Sequence, residues 1–71
     1  MQKKRLECVK FGLACKKIRE SKGLSQEKVA ELARYHRTYY SGIERGERNL
    51  SLIAIHRVAK ALGVPPAKLV E

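Results

Sequence analysis

The stretch LSQEKVAELARYHRTYYSGIERGERN, residues 24–49, decides the fold, because it reads as two short helices separated by a tight break. Ser25 stands where its hydroxyl can accept from the free backbone N–H groups of a helix's first turn. Glu27 places negative charge at the positive end of that helix's dipole. Lys28 occupies the position where Glu or Gln would complete a capping box, so the reciprocal half of that motif is missing. Val29, Ala30, Leu32 and Ala33 are the expected buried side, and the small Ala30 and Ala33 let another helix approach closely. After Arg34 and Tyr35 a further helix is predicted to start at His36 or Arg37 and to run to Arg45. Tyr40 and Ile43, at i and i+3, point inward in that reading, whereas Arg37, Thr38, Ser41 and Arg45 share the outward side. Gly46 ends the helix, and residues 47–50 form a polar loop.

The flanks continue the helical period. Phe11, Cys15 and Ile18 fall at i, i+4 and i+7 and define the inner face of a first helix, with Lys16, Lys17 and Glu20 on its outer side. Ser21-Lys22-Gly23 ends it, glycine being suited to a left-handed cap. On the other side Ser51 caps a fourth helix, in which Leu52, Ile55, Ala59 and Leu62 are spaced for burial. Gly63 closes that helix. Pro66 fits the first turn of a short fifth one, where its missing N–H would have no partner anyway. Leu69 and Val70 then fold back on the core. No segment alternates with period two, so the expected class is all-α: a compact five-helix bundle occupying residues 1–71 as one domain, with no repeat or linker.

Sixteen Lys and Arg against seven Asp and Glu leave a formal net charge of +9 over 71 residues, which favours a polyanionic partner. A basic surface that only maintains solubility is the plainer reading of the same number. Apolar runs fall far short of the roughly 18 residues of a membrane span, and the basic start Met1-Gln2-Lys3-Lys4-Arg5 is followed by no apolar stretch and cleavage site. A cytoplasmic protein without membrane contact is therefore expected. Cys8 and Cys15, seven apart on one helix, are too distant for a disulfide by helical rise. Cys15 is expected in the core and Cys8 partly exposed. With His36 and His56 they lack the paired close spacing of a zinc site, so no metal is expected. There is no glycine-rich phosphate loop and no nucleophile–base constellation, so neither an enzyme, a cofactor nor a small-molecule ligand is expected.

Residues 24–49, together with the run from Leu52 to Val64, resemble the phage repressor and Cro helix-turn-helix family. The resemblance extends from Phe11 to Leu69. His36-Arg37-Thr38-Tyr39 followed by Ile43-Glu44-Arg45-Gly46-Glu47-Arg48-Asn49 is most similar to the controller proteins of restriction–modification systems, small dimeric regulators that time expression of the restriction enzyme. The resemblance implies a repressor-like fold with the helix-turn-helix at helices two and three, and a regulator that binds double-stranded DNA. It also implies a partly buried ion pair between Arg19 and Glu44 that ties helices one and three together. Three departures stand out. Arg34 replaces the usual glycine of the inter-helix turn, so either the turn keeps its shape with Arg34 at positive φ or the turn is remodelled. Tyr40 replaces an aliphatic residue and brings a hydroxyl that needs a partner. Gly42 stands where some relatives carry a base-reading side chain.

A helix fits the major groove, and the residues at its N-terminal end face base edges. Arg37 holds that place, and its planar fork matches the O6 and N7 acceptors of guanine; a phosphate contact or a solvated arginine is the alternative. Thr38 is a candidate for a thymine methyl or a hydrogen bond. Tyr39 can offer its ring to a methyl or its hydroxyl to a phosphate, or be partly buried. Ser41 can donate to a base. The resemblance assigns a backbone contact to Gln26, at the start of helix two, where free N–H groups suit an anion. It also puts Arg45, Arg48 and Asn49 near DNA. Arg34 and Ser51 are further backbone candidates, Ser51 being read first as a cap. Lys3, Lys4 and Arg5 are read either as an arm along the DNA or as a disordered basic tail. By analogy the protein is a homodimer on a palindrome, with Ile53, His56, Ala67 and Val70 as candidate interface. An antitoxin or phage-type repressor competes within DNA binding. A protein-interaction module that lost DNA reading competes from outside it.

Overall fold

The computed structural model describes residues 5–70, so Lys3 and Lys4 of the expected arm lie outside the described residues. The described chain forms α1 (Leu6–Ser21), α2 (Gln26–Ala33), α3 (Arg37–Glu44), α4 (Leu52–Leu62) and α5 (Ala67–Val70), and no strand. The sequence sets most of the helix ends. Ser25 accepts from Lys28 N at 3.0 Å and Ser51 from Ala54 N at 3.0 Å, each satisfying one of the N–H groups a helix start leaves free. His36 caps α3 through its ring, Nδ1 accepting from Thr38 N at 3.1 Å. Helix α3 ends at Glu44, one residue earlier than the sequence suggested, with Arg45 as its C-cap.

Left-handed residues close the helices. Gly46 (φ 75°) follows α3 and Gly63 (φ 72°) follows α4. At the end of α2 the same job falls to Arg34, at φ 61° and ψ 42°. Its N–H donates to Glu31 O, and Tyr35 N donates to Ala30 O at 2.9 Å, so the turn keeps the shape that glycine would give it. A non-glycine residue in this region costs about 1–2 kcal/mol. Arg34→Gly relieves that strain and adds back unfolded-chain entropy, about 0.5–1 kcal/mol. The expected net gain is about 0–1.5 kcal/mol, seen as a higher urea midpoint with unchanged slope; a lower midpoint would show that the turn is unstrained.

The core lies where the helices converge. Phe11 and Cys15 of α1, Val29 and Ala30 of α2, Tyr40 and Ile43 of α3, Val58, Ala59 and Leu62 of α4 and Leu69 of α5 form one buried cluster. Helices α1 and α3 cross with their backbones in contact at Gly12: a Cβ there would fall on the carbonyl oxygens of Ile43 and Glu44. Burial pushes the Cys15 thiol up to about 12, so it stays protonated and unreactive. Both cysteines are free thiols.

Four burial expectations need correction. Leu32 is 49% exposed and Leu52 70% exposed. At about 100° per residue, the inner stripe of α2 is centred on Val29, Ala30 and Ala33, and that of α4 on Val58 and Leu62; both leucines lie about a quarter turn away. Val70 is also exposed, because Leu69 takes the inward place on the single turn of α5. Cys8 is buried rather than partly exposed, beside Leu69 and Val70 of α5 around one shared depression. Among the described residues no helix is long and apolar enough to cross a membrane.

Candidate nucleic-acid interface

Helix α3 is anchored by Tyr40, Ile43 and Glu44, so its opposite side faces out. Arg37 and Thr38 are exposed at its N-terminal end, just beyond the His36 cap, and Tyr39 is half-buried beside them. Arg37 also borders a shallow depression lined by Arg19, Ser25, Gln26 and Glu27, at the N-terminus of α2. Free N–H groups at that terminus make the depression receptive to an anion.

Ser41 was expected outward, and its spacing does turn it that way, but Gln26 reaches across from α2 and covers it. The Ser41 hydroxyl donates to Gln26 Oε1 at 3.0 Å and is left 9% exposed. In the free protein this hydroxyl is therefore engaged with Gln26 rather than open on the outward face of α3. The other end of the same amide donates, Nε2 to Glu44 Oε1, at 2.9 Å. With its oxygen on a hydroxyl and its nitrogen on a carboxylate, Gln26 has one amide orientation, and its second N–H remains for a ligand.

The expected Arg19–Glu44 pair is present and bidentate. Arg19 Nε donates to Oε2 at 2.7 Å and a terminal nitrogen to Oε1 at 3.1 Å, while another donates to Leu24 O at 2.9 Å. The Glu44 side chain is 3% exposed and that of Arg19 11%. Burial opposes ionisation of Glu44, but hydrogen bonds from Arg19 and Gln26 and the neighbouring Tyr40 outweigh it and hold the carboxyl below its usual range. Tyr40 itself is shifted upward, chiefly by burial and then by the adjacent carboxylate. Its hydroxyl is close enough to feel Glu44, yet no acceptor meets it at hydrogen-bonding geometry. The partner expected for this hydroxyl is thus at best a poorly aligned one.

Arg34 is exposed at the turn, and Arg45 is exposed at the end of α3 with Nε on Glu47 at 2.9 Å. Arg48 and Asn49 are exposed in the loop after α3. Ser51 is exposed too, its hydroxyl engaged as the α4 cap. Arg48 folds back over α3: its guanidinium carbon lies 5.4 Å from the Tyr39 ring centre. The space it uses is the one Gly42 leaves open, since a Cβ on Gly42 would stand 2.9 Å from Arg48 Nε. Gly42 thus lacks a side chain on the outward face, and a loop arginine lies there instead.

Two contributors escaped the sequence reading. Arg57 on α4 donates to Ala33 O at 2.9 Å and to Arg34 O at 2.6 Å, closing the end of α2. Tyr35 packs its ring against that guanidinium and against Tyr39. Neither has a signature in the helical period, because each contact joins residues from different elements.

Comparison with known proteins gives the same outline. The family model described as Helix-turn-helix matches residues 16–69. The chain is 52% identical over 62 residues to control protein C.BamHI of Bacillus amyloliquefaciens, a match covering 86% of this chain and 76% of that protein. The crystal structure of the restriction–modification controller protein C.AhdI from Aeromonas hydrophila is similar at a TM-score of 0.87 and 45% identity, over 92% of this chain and 98% of that one. The tetramer of the controller protein C.Esp1396I, solved in complex with its natural 35 base-pair operator, is similar at a TM-score of 0.82 and 39% identity, over 86% and 80% of the two chains. With α2, the Arg34 turn and α3 arranged as described, this chain belongs to the helix-turn-helix family and, within it, to the restriction–modification controller proteins.

Proposed function

We propose that this protein is a cytoplasmic transcription regulator that reads a palindromic operator as a homodimer, with α3 in the major groove. The observation that carries the proposal is the exposed N-terminal end of α3, where Arg37 and Thr38 project beside the free N–H groups of α2. That C.Esp1396I is described in complex with its operator supports the same reading. Arg37 reads a guanine in each half-site through two parallel hydrogen bonds. Thr38 and Tyr39 contact neighbouring bases or methyl groups. Gln26, Arg34, Arg45, Arg48, Asn49 and the N-terminus of α4 at Ser51 hold the phosphates, which fixes register without carrying sequence.

Two such helices on a two-fold dimer lie about one DNA turn, roughly 34 Å, apart. The face left for the dimer is on α4 and α5, where Ile53 is 68% exposed and Val70 60%, with His56 and Ala67 also exposed. Occupancy then follows protein concentration through dimerisation.

Selection of bound duplexes from a randomised pool is the direct test. A palindrome with a fixed G in each half is the expected result; no enrichment at physiological salt would reject sequence reading. On the selected duplex, Arg37→Ala is expected to cost about 1–3 kcal/mol and to relax preference at one base position per half-site. Equal losses on selected and random DNA would remove Arg37 from base reading.

A further inference from the structure

Four side chains from four parts of the chain form one continuous stack. The Arg57 guanidinium carbon lies 4.1 Å from the Tyr35 ring centre. The Tyr35 and Tyr39 ring centres are 4.7 Å apart, with the planes tilted by 49°. Arg48 lies over Tyr39 at the far end, 5.4 Å from its centre. The stack thus runs from α4, through the turn between α2 and α3, onto the outward side of α3 and into the loop after it.

Its inner end is fixed far more firmly than its outer end. Arg57 donates to Ala33 O and Arg34 O, the carbonyls that the end of α2 leaves without helical partners. A cation there also matches the negative end of the helix dipole. The planar guanidinium is therefore held in one orientation, and the Tyr35 ring packs against it. Tyr35 then limits where Tyr39 can lie, and the Tyr39 face determines where Arg48 rests over Gly42. Arg57 takes no part in the buried cluster that makes up the core, so its orientation bears on the turn and the stack rather than on core packing.

We propose that Arg57 is a positioning residue for operator discrimination: through Tyr35 it sets the Tyr39 ring on the groove side of α3 without touching DNA. This rests on the reading of α3 as the recognition helix. Lysine at position 57 keeps the charge but has neither the plane for stacking nor the fork for two carbonyls. Leucine at position 35 keeps apolar bulk but removes the ring face, whereas phenylalanine preserves it.

The test uses the duplex selected by the unmodified protein and copies with single base-pair changes in each half-site, titrated across a range of salt. Arg57→Lys is expected to lower discrimination between these duplexes about five- to tenfold, within the range measured for residues acting as one unit, and to leave the salt slope unchanged. Tyr35→Leu should do the same, Tyr35→Phe should not, and the Arg57→Lys, Tyr35→Leu double variant should be no worse than Tyr35→Leu alone. Thermal melts confirm that each variant is folded at the assay temperature. Uniform weakening with a salt slope reduced by about one would make Arg57 a phosphate contact and overturn the proposal. Unchanged discrimination, or additive losses in the double variant, would overturn it as well. Proton NMR of the free protein separates this from the function itself: the Tyr39 ring signals should shift in Arg57→Lys. Static signals defeat the coupling whatever the DNA result. Shifted signals with no duplex enriched by the unmodified protein defeat DNA reading, and the positioning role with it.

Discussion

Gly12→Ala is expected to destabilise the protein by about 2–3 kcal/mol, a large share of the stability open to a chain of this size. Alanine is the better helix former by about 1 kcal/mol, so an exposed glycine at mid-helix would improve on substitution. Here the added methyl meets the backbone oxygens of Ile43 and Glu44. Neither oxygen can turn aside as a flexible side chain can, because each belongs to the last turn of α3. The two helices must separate, and separation loosens Phe11, Cys15, Tyr40 and Ile43 together. For a domain of this length the loss amounts to roughly 10–20 °C in melting temperature, at about 4–8 °C per kcal/mol. A melting temperature equal to or above that of the unmodified protein would mean that the crossing has slack.

Glu44→Ala is the second large effect, at about 3 kcal/mol, because it leaves the partly buried Arg19 guanidinium with only the exposed Glu20 at 4.0 Å as counter-charge. The pH dependence of stability gives an independent reading of the same group. The folded-state pKa of Glu44 is depressed, so the folded chain binds that proton less readily than the unfolded chain does. Its stabilisation is complete above the unfolded value, about 4.3, and is lost as pH falls through the lower folded value. Urea titrations between pH 7 and pH 2.5 should show the unmodified protein weakening in that acid window and Glu44→Ala weakening less steeply. Parallel curves would mean that other carboxylates dominate. Because Glu44 also holds the Gln26 amide, the alanine variant should bind DNA more weakly even where it remains fully folded.

The helices and their ends were legible in the sequence because each is dictated by residues close in the chain. Ser25 and Ser51 cap as read, and of the two outcomes open at Arg34 the left-handed turn is the one adopted. The inner residues of α1 and α3 also followed from spacing: Phe11, Cys15, Tyr40 and Ile43 are buried, while Leu6 and Leu13, on the opposite face of α1, are exposed. Leu32 and Leu52 misled because a helical period tolerates residues at the margin of the stripe: each lies about a quarter turn off its centre, and the small Ala33 and Ala54 mark the side where helices meet. Within the site, spacing located the outward side of α3 but not what covers it. Gln26 over Ser41, Arg48 over Gly42 and Arg57 behind Tyr35 are all long side chains crossing from a neighbouring element. Their direction depends on how helices cross, a property no single-helix period contains.

Position 42 and position 48 compete for one volume, and this constrains how operator preference can drift among descendants of this chain. A new side chain at 42 displaces Arg48 rather than breaking the fold, since what it meets is a flexible arginine and not backbone. One substitution there thus introduces a new group to the groove and shifts a phosphate-binding arginine in a single step. A lineage that acquires a contact at 42 is released from keeping arginine at 48, and one that loses Arg48 leaves 42 open to be filled. Replacement at 42, with the side chain at 48 giving way and the helices unchanged, is one route by which two such regulators sharing a cell would come to ignore each other's operators.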